Sequence, residues 1–371
     1  MAVGLTLTCL AVGMMGSYIG RRVAHPDGQF GIDFMVYQLA ATDLAAGVSP
    51  YAPSMLTGPI AAQGELLYKY APPFAQSLAP LASLPVAAGT VIWGLVQASL
   101  CLAAVWLAGS LGGARAGLER AVWSVAAVAL FLPVWDSIWK GNVSAVQALQ
   151  ATLLLGGGTM AGASLATAIL LKTSPLALLP AAAAMGGRLL KSCLVIICLT
   201  VVVSVALAPA AWLDFLRIQP NLLTGSAVLP TNLAPASMAA VVLPEVPLLA
   251  AALRLATLAA GVGCVAAAVI VCRRPGGWPA AVMLGTTAML IIPGAAWYHY
   301  LAALLPFAAF SWHRATARQR LIITGGGATV SLGVAGLPLA VVGATLLVGQ
   351  SLAVVWPRSR ARDGPVAGPA A

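Results

Sequence analysis

Only nine of the residues in this chain are acidic, and three of them, Asp33, Asp43 and Glu65, fall in one polar-bearing stretch from Gly31 to Pro85. Carboxylates, with His299 and the lysines, are the groups that move protons in catalysis. A helix beginning near Asp33 sets Asp33, Tyr37 and Ala40 or Ala41 on one face. At a helix start the same acid serves as an N-cap or complements the helix dipole. Asp43 lies ten positions on, roughly on the same face, as a second acid or as a polar group facing water. Lys172 closes the apolar run ASLATAILLK. A lysine at mid-bilayer costs ~2.5–3.5 kcal/mol, so it snorkels to the surface or meets an anion. A lipid phosphate, met together with Lys140 and His299, is an anion that suits it. His299 stands between Tyr298 and Tyr300, a spacing that also fits an interfacial aromatic belt.

The elements that must position these residues are membrane helices. Of 371 residues, 61% are hydrophobic and 8% charged, against about 25% charged in an ordinary soluble domain. Apolar runs of about 20 residues, the length that crosses a bilayer core, recur along the chain. Alternating strands of a barrel are absent, so helices must satisfy the backbone. The expected fold is all-α, a polytopic transmembrane helical bundle whose external loops carry short helices.

Charge sets the expected orientation. The net charge is +10, but the nineteen basic residues are scattered in clusters between apolar runs. That pattern follows the positive-inside rule and offers no nucleic-acid face. With the N-terminus cytoplasmic, residues 21–85 form a first external loop and 212–247 a second. Arg115, Arg120, Arg188, Lys191, Arg273, Arg274, Arg314, Arg318 and Arg320 then fall inside, with Arg21 and Arg22 as the exception. Residues 143–187 are too many for one span, and three short or broken helices are expected there, with an outer turn at Thr173 to Pro175. The count is about ten to twelve crossings with both termini inside. Residues 1–356 form one transmembrane domain and 357–371 a short basic cytoplasmic tail. Asp27, Asp33, Asp43, Glu65, Asp136, Asp214 and Glu245 then share the outer face with Lys69, Lys140, Lys172 and His299.

Other chemistries lack their signals. The six cysteines lie in or beside apolar runs, so neither a disulfide framework nor a metal knuckle is expected. Gly156 to Gly158 and Gly325 to Gly327 lack the Lys-Ser/Thr pair of a phosphate loop, and are assigned to helix packing. No dinucleotide fingerprint appears, and no cofactor or metal is expected.

The run GIDFMVYQLAATDLAAGVSPYAP, followed by YKYAPPFAQSLAPLASLP, resembles the first external loop of the integral-membrane GT-C glycosyltransferases of family 87. Asp33, Tyr37, Gly47, Tyr51, Tyr70, Pro72 and Pro73 are the matching residues. WKGNVSAVQALQ, LLKTSP and PGAAWYHYLAALLP resemble later elements of the family in the same order. Asn142 and Ser144 depart from the family's usual Gln and Asn, and a single histidine follows the aromatic pair.

The resemblance implies an inverting transfer at the outer face of a bacterial plasma membrane, from a polyprenyl-phosphate sugar to a lipid or glycan hydroxyl. Asp33 is the expected base. Lys172, His299 and Lys140 are expected on the phosphate, and Tyr37, Asp43, Tyr51, Tyr70, Asn142 and Tyr298 at the sugar or acceptor. Mannose is the first expectation and arabinofuranose the alternative. From a different class, a lipid or solute transporter or flippase would need an ionisable residue at the bilayer midplane, and the spans contain almost none.

Overall fold

The computed structural model describes residues 2–24, 30–58, 67–224, 229 and 231–357. Asp27, Glu65 and the basic tail from residue 358 lie outside the described residues. Among those described, 80% are helical and none is in a strand, as a backbone in lipid requires.

After α1 (Ala2–Ala24), the first expected external loop folds into α2 (Ile32–Ala45), α3 (Pro53–Leu56), α4 (Pro72–Ser77) and α5 (Ala79–Ala82). α6 (Val86–Leu111) is a long apolar helix, and α7 (Leu118–Leu130) and α8 (Leu132–Lys140) meet at a 66° bend. Pro133 causes that bend, since it has no amide to give the Ala129 carbonyl. The Trp135 indole donates to that carbonyl instead, at 2.8 Å. α9 (Ser144–Leu155), α10 (Gly158–Leu171), the 3-10 turn Ser174–Leu178 and α11 (Leu179–Met185) occupy the segment expected to hold three short helices. α12 (Gly187–Leu207) follows, and the second loop contains α13 (Pro209–Thr224) and α14 (Pro235–Val242). The chain continues through α15 (Pro247–Cys272), α16 (Trp278–Ile291), the 3-10 turn Tyr298–Leu304, α17 (Leu305–Trp312), α18 (Ala317–Leu332) and α19 (Leu337–Val355).

Among the described residues, four helices, α6, α12, α15 and α19, are long and apolar enough to cross a membrane, and the bent α7–α8 pair brings the number to five. Ten to twelve crossings were expected from apolar runs alone. The runs are longer than the helices because glycine, proline and lysine cut them: the Gly156–Gly158 triplet separates α9 from α10. That triplet is therefore a helix break and not the packing surface expected of it. The Gly325–Gly327 triplet does lie at a helix contact. A Cβ on Gly326 would stand 2.9 Å from the Leu347 amide and 3.1 Å from the Gly343 carbonyl of α19, so small residues bring the two helices together.

Two hydrophobic cores result. One runs through the long helices. The other, built on Phe34, Tyr37, Tyr51, Tyr68, Phe74 and Phe215, joins α2 to α4 with α13 and the end of α10. The first expected external loop and α13 of the second thus form one cap over one end of the bundle. α6 is 26 residues long, about 39 Å, and separates this cap from a basic end. There the Arg120 guanidinium stacks over Trp106 and donates to the Ala114 carbonyl, and Arg314 donates to the carbonyls of Leu111 and Gly112.

Candidate active site

Asp33 stands in the first turn of α2, where its charge complements the helix dipole. It is not the N-cap: Gly31 takes that position at φ 70°, a left-handed backbone that glycine adopts without strain. Gly31 donates its amide to the Trp139 carbonyl at 2.9 Å, which pins the start of α2 to the end of α8. α8 ends at Gly141, also left-handed at φ 72°, where a Cβ would stand 2.6 Å from the Cβ of Phe34. The Trp93 indole holds the Gly141 carbonyl at 2.8 Å. The chain can turn this close to α2 only with glycine here, and the turn delivers Asn142 to Asp33.

Asn142 donates Nδ2 to Asp33 Oδ2 at 2.7 Å. Its Oδ1 accepts from the Ser144 amide at 3.1 Å and hydroxyl at 2.8 Å. With that oxygen committed to donors, the amide nitrogen must face the carboxylate. Asn142 is buried and Asp33 half-buried, so one carboxylate oxygen is held while the residue stays reachable.

Cations and phenols surround this acid. The Lys172 ammonium, just beyond the end of α10, lies 3.2 Å from the centre of the Tyr300 ring. Burial pushes Lys172 down to about 7, opposed by the charge of Asp33. Lys69 is also lowered by burial and raised in part by Asp33. Tyr37, Tyr70 and Tyr300 are raised by burial first, with the Asp33 charge adding to it, so they remain hydrogen-bond donors at neutral pH. Tyr37 and Tyr70 share a hydrogen bond at 3.0 Å, and the Tyr51 hydroxyl donates to the Tyr70 carbonyl at 2.7 Å. Tyr37 and Tyr51 are fully packed in the cap core, so they brace Tyr70.

His299, in the 3-10 turn Tyr298–Leu304, is buried with Nδ1 3.0 Å from Asp136 Oδ2. Lys140 reaches the same oxygen at 3.1 Å. Burial lowers His299, against the hydrogen bond and charge of Asp136 and the charge of Asp33.

The structure therefore gathers Asp33, Asn142, Tyr37, Tyr70, Lys172 and His299 at one place, with Lys140 joined to it through Asp136. Two expected contacts lie elsewhere. Asp43 is ten residues along α2 from Asp33, about 15 Å of rise and some 80° around the helix. Tyr298 donates its hydroxyl to the carbonyls of Val330 and Ser331 on α18, at 2.9 and 3.0 Å. Three residues given no site role from the sequence belong to the cluster: Lys69 and Asp136, placed there only on the outer face, and Tyr300. Each had a local signal, since Lys69 adjoins Tyr70, Tyr300 adjoins His299, and Asp136 precedes Lys140 by one helical turn.

The arrangement offers an acid held by an amide, two lysines whose proton affinity burial lowers and a set of phenol donors. It suits transfer of a group from a phosphate leaving group to a hydroxyl. No curated protein and no solved structure matches the chain. A family description, Glycosyltransferase family 87, matches residues 68–293, a stretch that holds Lys69, Tyr70, Asp136, Asn142 and Lys172. With more than half its length matched, this membrane-helical chain belongs to glycosyltransferase family 87.

Proposed function

We propose that the protein is a GT-C type enzyme that moves mannose from a polyprenyl-phosphate donor to a lipid or glycan hydroxyl at the outer face of the plasma membrane. The observation that carries this is Asp33, held by the Asn142 amide at 2.7 Å, within electrostatic reach of a Lys172 ammonium seated 3.2 Å from the centre of the Tyr300 ring. The acceptor oxygen attacks the anomeric carbon while Asp33 takes its proton. The bond from that carbon to the phosphate oxygen breaks on the opposite face, so the configuration inverts. Lys172 and Lys69 stabilise the departing polyprenyl phosphate, and Tyr70 and Tyr300 donate hydrogen bonds to sugar or phosphate. A nucleotide pocket is not needed for such a donor. The cap side is external because the basic ends of the helices gather at the far end of α6.

The test is transfer by the purified protein from radiolabelled polyprenyl-phosphate mannose and, separately, arabinose into an extracted membrane-lipid pool. Label is expected from the mannose donor, with a fall of about 10²–10⁴-fold in Asp33→Asn, the usual contribution of a positioned base. Full activity in that variant removes Asp33 from the base role. Transfer from the arabinose donor alone changes the sugar, and transfer from neither by a folded protein overturns the donor class.

A further inference from the structure

His299 is 3% exposed, and its two ring nitrogens have different fates. Nδ1 meets Asp136 Oδ2, which also takes the Lys140 ammonium. A carboxylate oxygen paired with a lysine only accepts, so Nδ1 carries the proton. Nε2 is buried and, among the described residues, has no hydrogen-bond partner. Buried polar atoms are almost always paired, and this one belongs to a ring in edge contact with Tyr300, centroids 4.9 Å apart. Tyr300 carries the Lys172 ammonium on its face. The unpaired nitrogen thus belongs to a ring that shares its Tyr300 neighbour with Lys172 and lies within electrostatic reach of Asp33.

The kind of atom that would complete Nε2 follows from the tautomer. A neutral imidazole with its proton on Nδ1 presents a lone pair at Nε2 and can only accept. Phosphate oxygens are acceptors too, and the pair would be mismatched. A hydroxyl is a donor and fits. We infer that His299 Nε2 accepts a hydrogen bond from a substrate hydroxyl, of the donor's sugar or of the acceptor, and does not bind the donor phosphate; Asp136 is the positioning residue that fixes this tautomer. Burial of the ring favours its neutral form. The inference rests on the glycosyltransferase reading of the site, and it divides the labour there: the lysines hold phosphate, the histidine holds a hydroxyl.

The test uses the full chain in nanodiscs and compares wild type with His299→Ala and Lys172→Ala. Binding is measured for sugar-free polyprenyl phosphate and for polyprenyl-phosphate mannose, and the KM for acceptor lipid is measured in transfer. Lys172→Ala is expected to weaken both lipids. His299→Ala is expected to leave sugar-free polyprenyl phosphate unchanged. It should lose about tenfold either in affinity for the sugar-bearing lipid, which assigns the hydroxyl to the donor, or in acceptor KM, which assigns it to the acceptor.

Asp136→Asn adds a readout that a packing role would not move. The charged groups acting on His299 are Asp136, Asp33 and Lys140, with Lys172 across the Tyr300 ring. Removing the Asp136 charge lowers the proton affinity of the ring, so if neutral His299 is the working form the acid limb of the kcat profile moves to lower pH. If a cationic His299 were required, activity would instead be lost on the alkaline side. That outcome, or a loss of sugar-free polyprenyl phosphate binding in His299→Ala equal to that in Lys172→Ala, overturns the inference. Should Asp136→Asn fail to fold, the His299→Ala binding comparison decides. A folded wild type that binds neither lipid points to failure of the donor class itself, a result visible before any variant is made.

Discussion

At the scale of single residues, the site works by placing few charges where little water can screen them. Lys172 has its proton affinity lowered to about 7 by burial. A phosphate beside it favours the charged form, so donor binding takes up a proton. Donor affinity is therefore full below about pH 7 and falls about tenfold per pH unit above it, until the pKa of the bound state is reached. Lys172→Arg, which stays charged, should flatten that dependence; a donor titration across pH 6 to 9 checks both arms. Asn142 offers a second measurement. Asn142→Asp would set a second carboxylate where an amide now stands 2.7 Å from Asp33. Two like charges at that distance repel and the amide donor to Asp33 is lost, so transfer is expected to fall by more than about tenfold. Full activity in a folded variant would show that the Asn142 amide does not hold Asp33 in its working geometry.

At the scale of elements, the precision of the site depends on turns. α8 and α2 are held together by a glycine at each junction, and Gly141→Ala places a Cβ against Phe34 in a left-handed backbone. A loss of about 1–3 kcal/mol is expected from the backbone alone, accompanied by weaker transfer as Asn142 shifts. Thermal unfolding and activity measured side by side check it. The second loop has a comparable fastening. Asn232, fully buried, donates to the Gly294 carbonyl and accepts from the amides of Ala234 and Ala296. Asn232→Ala leaves buried backbone groups unpaired and should cost at least about 2 kcal/mol. Because the Gly294–Ala296 stretch leads into the turn that holds His299, the variant should also lower transfer.

At the scale of the whole molecule, the long helices hold a polar cap at one end and basic loops at the other. Val48, exposed in the cap, and Ala116, exposed beside Arg115, report the two faces. In a cysteine-free background on intact cells, Val48→Cys is expected to react with a membrane-impermeant maleimide and Ala116→Cys only after permeabilisation. The reverse pattern would put the site on the cytoplasmic face and remove the proposed outer-leaflet donor. Aromatic residues of the first loop and of α13 form the cap core, so these segments are one structural unit although α6 to α12 lie between them in sequence.

Composition and pattern together dictated an all-helical membrane chain, because an 8% charged sequence without the alternating strands of a barrel satisfies its backbone in lipid only with helices. Asp33, Lys172 and His299 were also legible, since charges are rare here and a lysine or histidine at the edge of an apolar run needs a partner. Where the apolar runs break into helices was not legible: hydropathy measures how apolar a run is, while helix ends depend on breaks such as Pro133 and Gly156–Gly158. Nor were the partners. Which donor turns toward Asp33, that Lys69 and Tyr300 join it, and that Tyr298 faces α18 are decided by contacts between residues more than a hundred positions apart in some cases. Spacing along one helix cannot encode such contacts. Only tertiary packing brings Asn142 within hydrogen-bonding distance of Asp33 and Asp136 within that of His299.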